Sequence, residues 1–261
     1  MPASVRAGFK FLMFALLCLL VIPVQTLVLV FHKGRFSYPI PHFWHKGVCA
    51  VFGIRPVTIG KPVTDRQVLY LSNHLSYLDI SLIATQLCYA SFIAKSEVSG
   101  WPLFGYLSKL QQTVFIQRSR TAVGTQTRSL TSVLEEGKSL ILFPEGTSTD
   151  GKNVLPFKTS LFALPLQDHF RHLTLQPLTL KILDVDGHPP DSQAIRDLYA
   201  WHNDMTLPLG PHLWRFAKTK GATLQITFHP PIEACDFSDR KVLAKTCHEA
   251  VCKGLALSDA A

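Results

Sequence analysis

A histidine and an aspartate five residues apart are the strongest candidates for chemistry in this 261-residue chain. They lie in the run Leu-Ser-Asn-His-Leu-Ser-Tyr-Leu-Asp, which ends at Asp79. On one continuous helix, His74 and Asp79 would be about 140° apart. If a strand ends at Ser72 and a helix begins near Ser76, the carboxylate can reach back to the imidazole. It would then fix the ring's tautomer and stabilise the imidazolium that forms when His74 takes a proton.

The Ser76-x-x-Asp79 pattern has a second interpretation. It resembles a capping box, in which Asp79 only satisfies free amides at the start of a helix. A single H-x-x-x-x-D pattern is a weak signal by itself. It gains weight here because the chain contains no other, and because it lies at a predicted strand-to-helix junction.

Two arginines follow a second predicted strand. The run Val-Phe-Ile-Gln-Arg-Ser-Arg leads directly into Arg118 and Arg120. Guanidinium groups at the carboxyl end of a strand can hold phosphate oxygens through bidentate, charge-assisted hydrogen bonds. A solvated basic turn without a ligand is the alternative.

A third segment, Leu-Phe-Pro-Glu-Gly-Thr-Ser-Thr, follows another predicted strand. Pro144 has no backbone N–H to donate to the hydrogen bonds between strands, and Gly146 permits a tight turn in which the backbone approaches a ligand. Polar side chains in that turn come from Glu145, Thr147 and Ser148. Turn chemistry without function is the alternative. Because α/β sheets place their sites where strands end and helices begin, the three segments together are candidates for one site.

Taken in order, the segments resemble the conserved blocks of the glycerolipid acyltransferase family, and in particular bacterial 1-acyl-sn-glycerol-3-phosphate acyltransferases (lysophosphatidate acyltransferases). The matching runs are Asn73-His74 with Asp79, Phe115-Ile116 with Arg118, Phe143-Pro144-Glu145-Gly146-Thr147, and Leu175-Gln176-Pro177-Leu178. The likeness covers roughly residues 65–180. Two positions depart from it, since Gln117 stands where an acidic residue is frequent and Ser160 where a glycine often follows Phe-Lys.

The resemblance implies an O-acyltransferase that moves a fatty acyl group to the sn-2 hydroxyl of 1-acyl-glycerol-3-phosphate, giving phosphatidic acid. His74 would be the general base and Asp79 would orient it. The acceptor would be bound by Asn73, Arg118, Arg120, Glu145, Gly146, Thr147, Ser148 and Lys158. The donor would be acyl-CoA or acyl-acyl carrier protein, used as a co-substrate, with no metal and no other cofactor. The chain has no G-x-S-x-G motif, which weakens a serine acyl-enzyme route.

Two alternatives remain open. The runs Trp-His-Asn-Asp-Met at residues 201–205 and Pro-His-Leu-Trp at residues 211–214 resemble a region of relatives that acylate lyso-ornithine lipids, so the acceptor could be a lyso-ornithine lipid. The second alternative is a non-catalytic membrane lipid-binding protein that keeps the fold. His202, Asp204 and His212 could suggest a metal site, but structural use is favoured.

An uncharged run of 21 residues, from Phe11 to Phe31, predicts a membrane anchor within residues 1–35, followed by a catalytic domain at 36–261. As a helix it would span roughly 30 Å, the thickness of a bilayer's hydrocarbon core. Pro23 should kink or split it, so a helix and an in-leaflet hairpin both remain open. A buried core helix is the alternative. More Lys and Arg follow the run than precede it, which favours a catalytic domain on the cytoplasmic side of a membrane. The resemblance implies that this is the bacterial inner membrane.

Short apolar runs alternate with helix-length segments through the rest of the chain. This alternation predicts an α/β fold with a mostly parallel central sheet flanked by helices. Predicted strands include Val68–Ser72 and Ser139–Phe143, with one more near Ala50–Ile54. Predicted helices include Val123–Glu136 and Leu161–His169.

The composition of the chain restricts which binding partners are expected. The chain is 47% hydrophobic and only 17% charged, with a formal net charge of +8, which suits an anionic lipid surface or a phosphate-bearing substrate. No zinc spacing, recognition-helix pattern or aromatic-basic interleaving supports nucleic acid. The six cysteines are scattered and form no C-x-x-C pair, which fits a reducing compartment.

Overall fold

The computed structural model describes residues 1–32, 34–116 and 130–256. The strands are β1 (Ile54–Ile59), β2 (Val68–Ser72), β3 (Ala90–Lys95), β4 (Val114–Ile116), β5 (Ser139–Leu142), β6 (Thr174–Val185), β7 (Ala222–Phe228) and β8 (Ile232–Glu233). The helices are α1 (Ala3–Phe31), α2 (Pro39–Phe52), α3 (Leu78–Ala84), α4 (Phe104–Leu110), α5 (130–135), α6 (Gln193–Tyr199), α7 (Leu209–Ala217) and α8 (Arg240–Ala256).

The strands form one sheet in the order β1-β7-β6-β2-β5-β3-β4, with β8 paired to β6. β2 is parallel to both β6 and β5, and β3 is parallel to β5 and β4. Only the pairings of β6 with β7 and with β8 are antiparallel among the described strands. The predicted, mostly parallel α/β fold is therefore confirmed. Because β2 and β5 are parallel neighbours, the loops after Ser72 and Leu142 leave the same edge of the sheet.

Strand β2 shows why the sheet needs helices on both faces. All five of its residues are buried, which is typical of a central parallel strand. Val68 and Tyr70 belong to the hydrophobic cluster that contains residues of α1, α2, α3 and α7. Leu69 and Leu71 belong to the cluster on the other face, which contains residues of α8. This alternation with a period of two holds the end of β2, and therefore His74, in place.

Helix α1 runs without interruption through Pro23, so of the two forms that the sequence left open, a helix and a hairpin, this segment has the helical one. Pro23 removes one intrahelical donor, and the turns on either side continue the helix. Two cations fix its first turns to the domain: Arg6 donates to the carbonyl of Lys218 at 2.8 Å and Lys10 to that of Phe52 at 2.7 Å. Both carbonyls lie at helix C-termini, where a positive charge is favourable.

The outer face of α1 is exposed and apolar. Only 17% of its most apolar 18 residues are buried, which disfavours a core helix, and by length and composition the helix could cross a membrane. Its exposed large side chains include Phe9, Leu16, Leu19, Leu20, Leu27 and Phe31.

Two of the predicted elements are wrong. The segment 50–54 is not a strand, because α2 continues to Phe52 and ends at Gly53, whose φ of 76° lies in the left-handed region that glycine adopts without strain. β1 begins only after this turn. The segment 161–169 is not an α-helix but contains short 3-10 turns at Thr159–Phe162 and Asp168–Phe170, because Pro165 cannot donate within a helix. Of the helix predicted at 123–136, residues 123–129 lie outside the described chain.

Candidate active site

The carboxylate of Asp79 is the most heavily bonded group at the sheet edge. It is 0% exposed and lies in the first turn of α3. Its Oδ2 accepts from the His74 ring at 2.8 Å and from the backbone amides of Leu75 at 2.6 Å and Ser76 at 2.9 Å. Its Oδ1 accepts from the hydroxyl of Tyr199 at 3.0 Å. Asp79 thus does both things that the sequence allowed: it reaches back to the imidazole and it satisfies amides before the helix.

His74 lies between this carboxylate and open space. Its side chain is 21% exposed, and its ring stacks on Phe143 with centroids 4.0 Å apart and planes 18° from parallel. Because Nδ1 points at Asp79, Nε2 is on the opposite side of the ring. The ring lines a cavity of ≈ 290 Å³, which also involves Lys95, Trp101 and Thr147. A carboxylate-oriented imidazole that faces a cavity has the arrangement of a general base.

The buried carboxylate of Glu145 holds the backbone of the His74 loop. It is 3% exposed, and its two oxygens accept from the backbone amides of His74 at 2.8 Å and Leu155 at 2.7 Å. Burial raises the pKa of Glu145 to about 7, against the lowering effect of the two amides. The carbonyl of His74 in turn accepts from the Thr149 amide at 2.8 Å. Glu145 therefore couples the loops after β2 and β5.

The structure brings most of the other predicted site residues to this edge, in different roles. Asn73 is 1% exposed, and its amide pairs with the Leu180 backbone at 2.9 and 2.7 Å, which favours a structural role over substrate contact. Gly146 lines the cavity with a φ of 77°, which suits the turn. Ser148 also lines it and donates to the carbonyl of Trp201 at 2.7 Å.

Of the three predicted phosphate-binding cations, Lys158 is the one that the structure describes. The side chain of Lys158 is exposed and is not among the residues that line the His74 cavity, while its backbone amide donates to the Pro144 carbonyl at 2.9 Å. Arg118 and Arg120 lie outside the described residues.

A second, apolar cavity of ≈ 140 Å³ adjoins the first one. We call it the acyl chamber; it lies among α1, α2, α3, α4 and α7, with Phe14, Val48 and Leu213 among its lining residues. It shares six residues with the His74 cavity, namely Tyr77, Ile80, Val98, Trp101, Ser108 and Gln111. A mostly apolar chamber that adjoins the His74 cavity can hold a hydrocarbon chain away from water.

On the other side, the His74 cavity adjoins a wider polar cleft of ≈ 890 Å³, through Thr147, Ser148 and Asn203. We call it the headgroup cleft. The charged groups that line it are Asp150, Asp197, Asp204 and Arg215, with His202 beside them. Within the described chain, no group of three or more His, Cys, Asp or Glu residues could hold a metal ion.

Residues after β6 complete the site. The sequence singled out the runs that contain Trp201 and His212 as a likeness to relatives, but it did not point to Tyr199. Tyr199 is fully buried against Asp79, and burial raises the pKa of its phenol well above the usual value, so it stays a donor. The Trp201 amide donates to the Leu75 carbonyl at 2.9 Å. Tyr77 bonds His212 at 2.9 Å, which accounts for His212 structurally. The only available signal was the aromatic-rich run around Trp201, which has no fixed spacing to His74.

Comparisons with known proteins agree with this geometry. A family model described as acyltransferase matches residues 56–181. The lyso-ornithine lipid O-acyltransferase of Brucella abortus is 36% identical over 235 residues, which are 88% of this chain and 86% of that protein. The 1-acyl-sn-glycerol-3-phosphate acyltransferase of Neisseria meningitidis serogroup B is 31% identical, covering 79% of this chain and 76% of that protein.

A solved structure shares the fold. The crystal structure of the 1-acyl-sn-glycerophosphate (LPA) acyltransferase from Thermotoga maritima superposes with a TM-score of 0.69 at 20% identity, covering 97% of this chain and 96% of that one. The family model and the relatives together define the class as a lipid acyltransferase. The chain belongs to the acyltransferase family, as an O-acyltransferase that acts on a lysolipid acceptor.

Proposed function

We propose that the protein transfers a fatty acyl group from a thioester to the free hydroxyl of a lyso-ornithine lipid, with His74 as general base. The observation that carries this proposal is the 2.8 Å contact between His74 Nδ1 and the buried Asp79 carboxylate, beside a cavity that joins an apolar chamber to a polar cleft. The site can thus hold a chain, a reacting carbonyl and a headgroup together.

The proposed reaction is direct transfer. Nε2 of His74 takes the proton of the acceptor hydroxyl while that oxygen bonds to the thioester carbonyl carbon. Asp79 stabilises the resulting imidazolium. The carbon–sulfur bond then breaks, and the thiolate leaves with the proton that His74 returns. The reaction needs only the two substrates, so we propose acyl-CoA or acyl-acyl carrier protein as a co-substrate and no cofactor.

The charges of the headgroup cleft support a zwitterionic acceptor. Among the described residues that line it and the His74 cavity, the carboxylates are Asp150, Asp197 and Asp204, and the Lys and Arg side chains are Lys95 and Arg215. Asp150 is already paired with Arg196 at 3.2 Å, which leaves Asp197 and Asp204 against Lys95 and Arg215, so the described lining offers both signs of charge in equal number. An ornithine headgroup carries one ammonium and one carboxylate, and both find opposite charges.

The names of the relatives also support lyso-ornithine lipid ahead of lysophosphatidate as the acceptor. Lyso-ornithine lipid O-acyltransferases of Brucella abortus and Rhodobacter capsulatus are both 36% identical to this chain, and that of Rhizobium meliloti is 30% identical, against 31% for the Neisseria meningitidis 1-acyl-sn-glycerol-3-phosphate acyltransferase. Lysophosphatidate, which the sequence put first, becomes the second candidate acceptor. It remains a candidate because Arg118 and Arg120, its predicted phosphate ligands, follow β4 directly.

An acceptor competition tests the proposal. Purified protein in mixed micelles receives lyso-ornithine lipid and lysophosphatidate, each with acyl-CoA and with acyl-acyl carrier protein. We expect acylation of lyso-ornithine lipid with a higher kcat/KM. Transfer to lysophosphatidate alone would refute the acceptor assignment and leave the chemistry intact.

Asp204→Asn sharpens this test. The Asp204 side chain is 97% exposed and lines the headgroup cleft, so its loss should raise the KM for lyso-ornithine lipid several-fold and not the KM for lysophosphatidate. Asp191→Asn is the matched control, because Asp191 is exposed and is not among the cleft residues.

We further propose that residues 1–35 anchor the protein to the bacterial inner membrane and that residues 36–261 form the catalytic domain on its cytoplasmic side. The exposed apolar face of α1 supports the anchor, and Phe43 on α2, 67% exposed, adds to the apolar surface. Because α1 packs along α2, α4 and α7, the acyl chamber lies beside the anchor. Replacing Leu16, Leu19 and Leu20 with Asp should release the protein from membranes, and retention would refute the anchor.

A further inference from the structure

We propose that Tyr199 is a positioning residue of the reaction, which acts through Asp79 and does not touch substrate. The inference rests on the proposed roles of His74 and Asp79. It adds a third member to that pair, from a helix 120 residues further along the chain.

The geometry separates Tyr199 from an ordinary core tyrosine. Its hydroxyl donates to Asp79 Oδ1 at 3.0 Å, while Oδ2 serves His74, Leu75 and Ser76. No other group of the described residues is recorded as a donor to Oδ1. Asp79 is 0% exposed, so bulk solvent does not reach Oδ1 in the folded protein and Tyr199 is the donor that keeps this half of the carboxylate satisfied.

The surrounding structure fixes the phenol. Tyr199 is the last residue of α6, and its ring meets Phe216 of α7 edge-on, with centroids 5.8 Å apart. Two residues further on, the Trp201 amide bonds the Leu75 carbonyl and the Trp201 carbonyl accepts from Ser148. The α6–α7 segment is therefore tied to the loops after β2 and β5, and these contacts hold Tyr199 beside Asp79.

The hydrogen bond has a defined effect on the base. A donor to Oδ1 draws negative charge away from Oδ2, the oxygen that holds His74. Without it, Oδ2 would attract the imidazolium more strongly, so His74 would stay protonated to higher pH, while the unpaired oxygen would also favour rotation of the carboxylate away from the ring. The first effect displaces the pH profile. The second reduces kcat, because a misoriented imidazole is poorly placed to take the acceptor proton. The KM is spared because Tyr199 is not among the residues that line the cavities.

Other titratable groups face this cluster and must be held constant. Glu145 lies beneath His74 and interacts with the Asp79 charge, and Cys49 of α2 and Tyr77 before α3 interact with the Tyr199 phenol. All of these are retained when only position 199 is changed, so a displaced pH profile can be assigned to the phenol hydroxyl.

Tyr199→Phe is the first test. We expect kcat to fall about tenfold with KM unchanged, and the acid limb of the kcat/KM–pH profile to move up by about half a pH unit. Tyr38→Phe is the matched control, because Tyr38 is buried and its hydroxyl bonds Ser91 at 2.7 Å, away from the cavities. The control should lose similar stability and keep its kcat and pH profile.

A second variant covers the case in which the phenylalanine protein folds poorly. Nonsense suppression can place 3-fluorotyrosine at position 199, which keeps the shape of the side chain and makes its hydroxyl a stronger donor. The acid limb should then move down, opposite to Tyr199→Phe. The inference would be overturned if the acid limb stayed in place in both variants, or if Tyr38→Phe lost as much kcat as Tyr199→Phe. A wild-type protein that transfers no acyl group would overturn the proposed function instead.

Discussion

Replacement of Asp79 by asparagine separates charge from geometry at the proposed catalytic pair. An asparagine can place its oxygen where Oδ2 is, and so still accept from His74 and from the amides of Leu75 and Ser76. Its NH₂ then faces the Tyr199 hydroxyl, which can turn round and accept. The fold and the ring orientation should therefore survive, and only the negative charge is lost.

The size of the loss follows from that charge. Two unit charges about 4 Å apart interact by about 4 kcal/mol at an effective dielectric constant of about 20. A neutral hydrogen bond from His74 to the new amide returns about 1 kcal/mol of this. The imidazolium formed in the transition state should thus lose about 3 kcal/mol of stabilisation, so the kcat of Asp79→Asn should fall about 10²-fold.

The assay is release of free thiol from the thioester donor, at saturating donor and acceptor in mixed micelles. Thermal unfolding of the same samples checks the fold. Asp184→Asn is the control, because Asp184 pairs with Arg55 at 3.9 Å across an exposed part of the sheet. A kcat within threefold of wild type would refute the reasoning, since the carboxylate would then contribute nothing to the imidazolium.

Two further predictions concern stability and the acyl chain. Burial raises the pKa of Glu145 from 4.5 to about 7, so the folded protein binds this proton more tightly and loses stability as pH rises from about 4.5 to 7. Over this pH interval, the free energy of unfolding of the wild type should fall by about 3 kcal/mol relative to that of Glu145→Gln, as measured by denaturant unfolding. Parallel plots of this free energy against pH for the two proteins would contradict the prediction. Ile80→Trp should narrow the passage to the acyl chamber and reduce transfer of long acyl chains more than short ones, which a donor series measures; an equal loss at all lengths would contradict the chamber's role.

The sequence predicted the sheet and the His74 loop well because both depend on local patterns. β2 lies where its apolar run does, and Asp79 reaches His74 because a strand-to-helix turn brings residues five apart together. The segment 161–169 was predicted wrongly because its apolar pattern is typical of a helix, whereas Pro165 cannot donate within one.

The contribution of α6 and α7 could not be predicted, because it depends on contacts over long sequence distances. The bond from Tyr199 to Asp79 joins residues 120 apart, and nothing local to Tyr199 specifies it. The acyl chamber likewise combines side chains of five helices. For Asn73 the sequence predicted a substrate contact, whereas its pairing with Leu180 could be seen only once β6 was placed beside β2.

Single-turnover acyl transfer by His74→Ala tests the central claim most directly. Removing the base should lower the rate by about 10²–10⁴-fold while the protein still binds lysolipid, and added imidazole should restore part of the activity through the vacated cavity. His172→Ala, at an exposed histidine, should match wild type. A His74→Ala protein that transfers acyl groups at nearly the wild-type rate would contradict the assignment of His74 as the general base.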